Sequence, residues 1–77
     1  MTKEQLKEWR VTLGLSQKQM AAYVGIPWQT WRNWEQGTRS LNATAVSLVS
    51  LMRVVETMEP DLLESRLEKA RAVPQFK

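Results

Sequence analysis

The segment Leu13–Arg39, LGLSQKQMAAYVGIPWQTWRNWEQGTR, decides how this chain folds. Ser16 followed by Gln19 forms a capping box, in which a hydroxyl and an amide side chain satisfy free N–H groups of a first helical turn. A helix is therefore predicted from this cap to Val24, with Met20, Ala21 and Val24 on its buried side and Leu15 just ahead of it. Gly25 stops it, at a position that often demands positive φ. Pro27 or Trp28 opens the next helix, because proline's missing N–H costs nothing in a first turn, and Gly37 closes it. Two short helices around a tight glycine turn have the spacing of a helix-turn-helix.

The second helix of the pair is read by angle. At about 100° per residue from Trp28, the residues Thr30, Trp31 and Trp34 share an arc of about 200° to 300°. Two indoles on one side predict that this side faces the core. Trp28, Gln29, Arg32, Asn33 and Gln36 fall opposite, at about 0° to 140°, with Glu35 at the boundary. The outward face carries no carboxylate and suits the major groove of double-stranded DNA. Arg32 can donate two hydrogen bonds to guanine O6 and N7, and Gln29 or Asn33 can pair bidentately with adenine N6 and N7. Trp28 can press on a thymine methyl or cover the entry of the helix. Trp28, Gln29, Arg32 and Asn33 are thus the candidate base-reading residues. Phosphate contacts, which set register without reading sequence, are expected from Gln17 and Lys18 at the start of the first helix of the pair, where free N–H groups point outward. Thr38, Arg39 and Asn42 are the candidates on the other side. Taken singly, each of these side chains also reads as ordinary solvated surface.

Working outward, Thr2 and Gln5 form a second capping box for a helix over about residues 3–13, with Leu6, Trp9 and Leu13 as its buried stripe. Asn42 caps a fourth helix reaching about Thr57. Glu59-Pro60-Asp61 breaks the chain and starts a fifth, which runs to about Arg71 with Leu62, Leu63, Leu67 and Ala70 on one side. Pro74 ends order, and Gln75-Phe76-Lys77 is expected to be a loose tail. The expected fold is an all-α bundle of about five helices in a single domain, 1–77. Within it, residues 2–57 form the DNA-binding core, 59–72 a C-terminal helix serving dimerisation, and 73–77 a tail.

Composition narrows the function. With 77 residues and 43% apolar side chains, the chain can bury a small core, although a domain this short is marginal and gains from a partner subunit. It has neither cysteine nor histidine, which rules out thiolate metal sites and the commonest general base. No metal and no cofactor are expected. Catalysis would need paired carboxylates, but Glu4/Glu8 and Glu64/Glu68 read as solvated helix faces with Lys7, Arg10 and Lys69 as companions. No catalytic residue, and no enzyme, is expected. Residues 1–55 carry seven Lys/Arg against three acidic residues, and 56–77 four against five. A body of about +4 with a tail of about −1 leans toward nucleic acid. The N-terminus has no apolar run of the kind a signal peptide needs, and no window approaches the ~20 apolar residues of a membrane span. A cytoplasmic location without membrane contact is the expectation.

The fourth helix is apolar almost all round. Leu41, Ala45, Leu48, Met52 and Val55 form one stripe, which Val46, Val49, Leu51 and Val54 extend. Such a helix needs two covers: the fifth helix on one side and a second subunit on the other. Val46, Val49, Leu63 and Leu67 are the expected interface of a homodimer. A two-fold dimer would set two recognition helices about 34 Å apart, matching a palindromic operator.

These residues resemble the phage repressor and Cro-like (Xre-type) helix-turn-helix family. The family pattern of leucine-glycine-x-(Ser/Thr)-Gln, then x-x-x-Ala-x-x-x-Gly, is met by Leu13-Gly14-Leu15-Ser16-Gln17, Ala21 and Gly25. Its second half, Gln-Thr-apolar-x-x-Trp-Glu-x-Gly, is met by Gln29-Thr30-Trp31-Arg32-Asn33-Trp34-Glu35-Gln36-Gly37. The similarity covers about residues 3–57. It implies a lambda-repressor-like bundle, DNA contacts at Gln17, Trp28, Gln29, Arg32 and Asn33, and helix-to-helix packing through Ala21, Gly25, Trp31 and Trp34. Arg32 to Arg39 is similar to a branch of small autoregulators of antitoxin or anti-CRISPR-associated type. Three residues depart from the pattern. Pro27 stands where a Ser or Thr cap is usual, Trp28 replaces a smaller polar residue, and Trp31 fills a position that is usually aliphatic. The expected function is a dimeric transcriptional repressor, governed by its own concentration or by a protein partner. The alternative is a protein-interaction module such as an antitoxin bound to its toxin.

Overall fold

A computed structural model describes residues 1–74. Five helices follow in order: α1 (Lys3–Thr12), α2 (Gln17–Val24), α3 (Trp28–Gln36), α4 (Ala43–Met58) and α5 (Asp61–Arg71). No strand occurs among the described residues. The local signals place the boundaries. Both capping boxes form, Thr2 with Gln5 and Ser16 with Gln19. Asn42 accepts from the backbone N–H of Ala45 at 2.7 Å. Gly25 takes φ +90, a left-handed conformation that lets α2 stop and the chain swing into α3. Pro27 leaves α3 without a side-chain cap. The tail residues Gln75-Phe76-Lys77 lie outside the described residues.

The core gathers Leu6 and Trp9 of α1, Met20, Ala21, Tyr23 and Val24 of α2, Trp31 and Trp34 of α3, Val49 and Met52 of α4, and Ala70 of α5. Trp31 is completely buried. Its ring lies 6.1 Å from Trp9 and 5.9 Å from Trp34, centroid to centroid, within the range of favourable tilted aromatic pairs. An indole where an aliphatic residue is usual is thus accommodated by other aromatics.

Two carboxylates hold the helices together from within. Glu35 accepts two hydrogen bonds from the Arg10 guanidinium, at 2.7 and 3.1 Å, and another from the Trp31 indole N–H. Arg10 also donates to the Leu15 carbonyl at 3.0 Å. Arg10, expected as a solvated companion, is instead part of a largely buried ion pair between α1 and α3, its side chain 15% exposed and that of Glu35 5%. Glu56 on α4 accepts from the Trp9 indole N–H at 2.8 and 3.0 Å and from the Tyr23 hydroxyl at 2.6 Å, joining α1, α2 and α4. Burial, and then the Glu56 carboxylate it donates to, push the Tyr23 hydroxyl well above the usual tyrosine pKa.

A reciprocal exchange binds α5 to α2. Arg66 of α5 donates to the carbonyls of Tyr23 and Val24, at 2.9 and 3.3 Å, at the end of α2. Gln19 of α2, 5% exposed, donates to the carbonyls of Arg71 and Val73, at 3.3 and 3.0 Å, at the end of α5. Each helix supplies the donors that the other's C-terminus lacks.

The residues expected at a subunit interface are mostly turned inward. Val49 is wholly covered by the chain itself. Leu63 and Leu67 turn toward the core as well. Val46 is half-buried beside Trp34 and Leu41, in a cleft that Lys3 and Arg39 also line. Among the described residues of α4 and α5, the large apolar side chains left uncovered are Leu48, Leu51, Val54 and Met58 on the outward side of α4, with Leu62 at the start of α5. Leu62, grouped in sequence with the inward residues of its helix, is 68% exposed.

Candidate nucleic-acid interface

The outward side of α3 follows from its inward side. Trp31 and Trp34 anchor the back of the helix, so residues about 100° to 180° away must face solvent. Gln29 and Gln36 are exposed, and Trp28, Arg32 and Asn33 are half-buried. Glu35, the one carboxylate on α3, is folded inward and neutralised by Arg10. The exposed side of α3 is therefore free of negative charge. That is the electrostatic condition for approaching a polyanion.

Trp28 sits in the first turn of α3, partly packed on the core. The Arg32 guanidinium, one turn further on, lies 4.9 Å from the centre of its ring. The Lys18 ammonium, from the first turn of α2, lies 5.5 Å from the same ring. Two cations thus converge on one indole where the starts of α2 and α3 meet. The Arg32 Nε is closed off from solvent and makes no hydrogen bond among the described residues.

The flanking residues are disposed around this centre. Gln17 is half-buried, and its amide donates to Glu35 at 3.5 Å. Thr38 and Arg39 are exposed, their backbone N–H groups donating to the Asn33 carbonyl at 3.0 and 3.4 Å. Asn42 is exposed, with its side-chain oxygen committed to capping α4. Arg10, Gln19, Glu56 and Arg66 escaped the sequence reading as positioning groups. Their partners lie 25 to 54 residues away along the chain, where no local spacing signals them.

A family model described as helix-turn-helix (HTH_3) matches residues 6–51, from α1 through the middle of α4. The chain belongs to the Xre/lambda-repressor-like helix-turn-helix family. Members of this helix-turn-helix family are DNA-binding regulators. Comparison with curated proteins and with solved structures gave no match. Among the described residues no helix is long and apolar enough to cross a membrane.

Proposed function

We propose that the chain is a dimeric, sequence-specific repressor that reads a palindromic operator through the outward side of α3. The carrying observation is a carboxylate-free helix face bearing Gln29, Arg32 and Asn33, held outward by two buried indoles. Gln29, Arg32 and Asn33 face the bases in this reading, with Trp28 at the entry of the helix. Gln17, Lys18, Thr38, Arg39 and Asn42 position the phosphate backbone. In this reading the level of the protein itself sets occupancy of the operator, as in an autorepressor acting in the cytoplasm.

A second copy of the chain covers the outward face of α4. That face, from Thr44 through Leu48, Leu51 and Val54 to Met58, carries no charge over four turns. Its apolar residues form a patch on the order of a few hundred Å², at the upper end of what monomers leave exposed. This area is small beside the ~800 Å² per partner of a stable complex, so the pair is weak in solution and completed on DNA.

Selection of bound sites from random duplex DNA tests the reading. The expected product is an inverted repeat with half-site centres about 10 bp apart or a multiple of that. Arg32→Ala or Gln29→Ala should weaken that site by about 1–3 kcal/mol with melting unchanged. A chain that shifts no DNA even at low salt would instead be a protein-binding module such as an antitoxin.

A further inference from the structure

Trp28 is one of three residues at which this chain departs from its family pattern, and the structure gives its ring a partner. Residues four apart on a helix are neighbours, and long helical side chains lean toward the N-terminus. Arg32 therefore reaches back over the turn holding Trp28, and its guanidinium lies 4.9 Å from the ring centre. From this we infer that Trp28 is a positioning residue that acts through Arg32, not a base contact in its own right. The indole holds the guanidinium flat along α3 and selects which of its edges faces outward.

The buried Nε carries the argument. It is the Arg32 nitrogen that is closed off from solvent, while the terminal pair, Nη1 and Nη2, is not. With Nε turned in, the outward edge is the one on which two parallel N–H donors match guanine O6 and N7. A free arginine samples many rotamers and loses that freedom on binding. The stack restrains it beforehand, and a restrained donor pair binds more tightly and discriminates more sharply. Lysine could stack as a point charge but lacks the planar fork. The Lys18 ammonium, 5.5 Å from the same ring, adds positive potential at this place. With two cations drawn to its ring, Trp28 serves the guanidinium and not a thymine methyl in this reading.

The inference rests on the proposed DNA-reading function, and a double-mutant cycle on the selected operator separates the two. Trp28→Leu keeps an apolar cover on the core and removes the platform; Trp28→Phe keeps a ring. Trp28→Leu should weaken the operator about 3- to 10-fold, the range expected for losing a cation–π stack and its restraint. Trp28→Phe should recover part of that loss. In an Arg32→Ala background, Trp28→Leu should change affinity less than twofold. The loss should also shrink on an operator whose contacted guanine is replaced by 7-deazaguanine, which keeps O6 but lacks the N7 acceptor. Proton NMR of the free protein supplies a readout independent of DNA. The Arg32 Cδ protons should be shifted upfield by the ring current, and Trp28→Leu should abolish the shift. A full Trp28→Leu cost persisting without Arg32, or one sensitive to thymine-to-uracil exchange, would overturn the inference in favour of direct contact. Unshifted Arg32 protons would overturn it too. Failure to select any operator would defeat the DNA-reading function, a separate result.

Discussion

Replacing Glu56 is the most informative test of how this bundle is held. Its carboxylate takes the Trp9 indole N–H and the Tyr23 hydroxyl, and both donors belong to buried residues, 5% and 1% exposed. Glu56→Ala leaves two buried donors without an acceptor. Each costs about 1–3 kcal/mol, so the sum is about 2–6 kcal/mol. Glu56 also borders an open groove of about 770 Å³ between α1 and α4. Water can enter there and replace part of the lost bonding, which favours the lower half of that range, about 2–4 kcal/mol. In a domain of this length each kcal/mol moves the midpoint by about 4–8 °C, so Tm should fall by about 8–32 °C. Glu56→Gln keeps one acceptor oxygen without the charge and should lose roughly half as much. Thermal and urea unfolding followed by circular dichroism measure both variants, with Glu64→Ala on the exposed side of α5 as the control expected within about 0.5 kcal/mol of wild type. If Glu56→Ala melts alongside that control, the carboxylate does not join these helices and the reasoning fails.

Other outcomes follow from the same contacts. Tyr23 is the single tyrosine in the chain, so alkaline difference absorbance reports it alone. Its pKa is raised on folding, so the folded chain holds the proton more tightly. The associated stability is complete below about pH 10, the unfolded value, and is lost as pH climbs above it. Tyrosinate should therefore appear only well above pH 10, in step with unfolding; ionisation near 10 with the helices intact would contradict the burial. Leu51 is 62% exposed, so Leu51→Glu should leave the monomer's melting nearly unchanged. It should weaken pairing and cooperative operator binding, measured by sedimentation and gel shift. Undiminished pairing would exclude the outward face of α4 as the subunit contact.

What could be read from sequence was what short-range chemistry governs. The pairs Thr2/Gln5 and Ser16/Gln19, the stop at Gly25 and the indole pair Trp31/Trp34 each act within one or two turns. They gave the helix limits and the direction in which α3 faces. Which α4 side chains turn inward was not legible because a helix that is apolar all round has no dominant angle. Val49 goes inward and Leu48 and Leu51 outward only because Met52 enters the core and Glu56 reaches Trp9 of α1 and Tyr23 of α2. The same limit applies to Arg10. Its partner Glu35 is 25 residues away, and only the packed bundle distinguishes that ion pair from a surface charge. At the candidate site, Arg32 and Trp28 stood out by residue type, while the stack between them became evident only from the geometry.

The mutual clasp of Gln19 and Arg66 gives the last helix a part in tuning the first residues of the reading head. The family match ends at residue 51, yet the carbonyls that terminate α2, immediately before the swing at Gly25, are held from residue 66. Trimming the chain to its family-matched length would leave those carbonyls to water and loosen the hinge that aims α3. Conversely, anything that grips α5, whether a protein or a neighbouring subunit, acquires a handle only one hydrogen bond removed from that hinge.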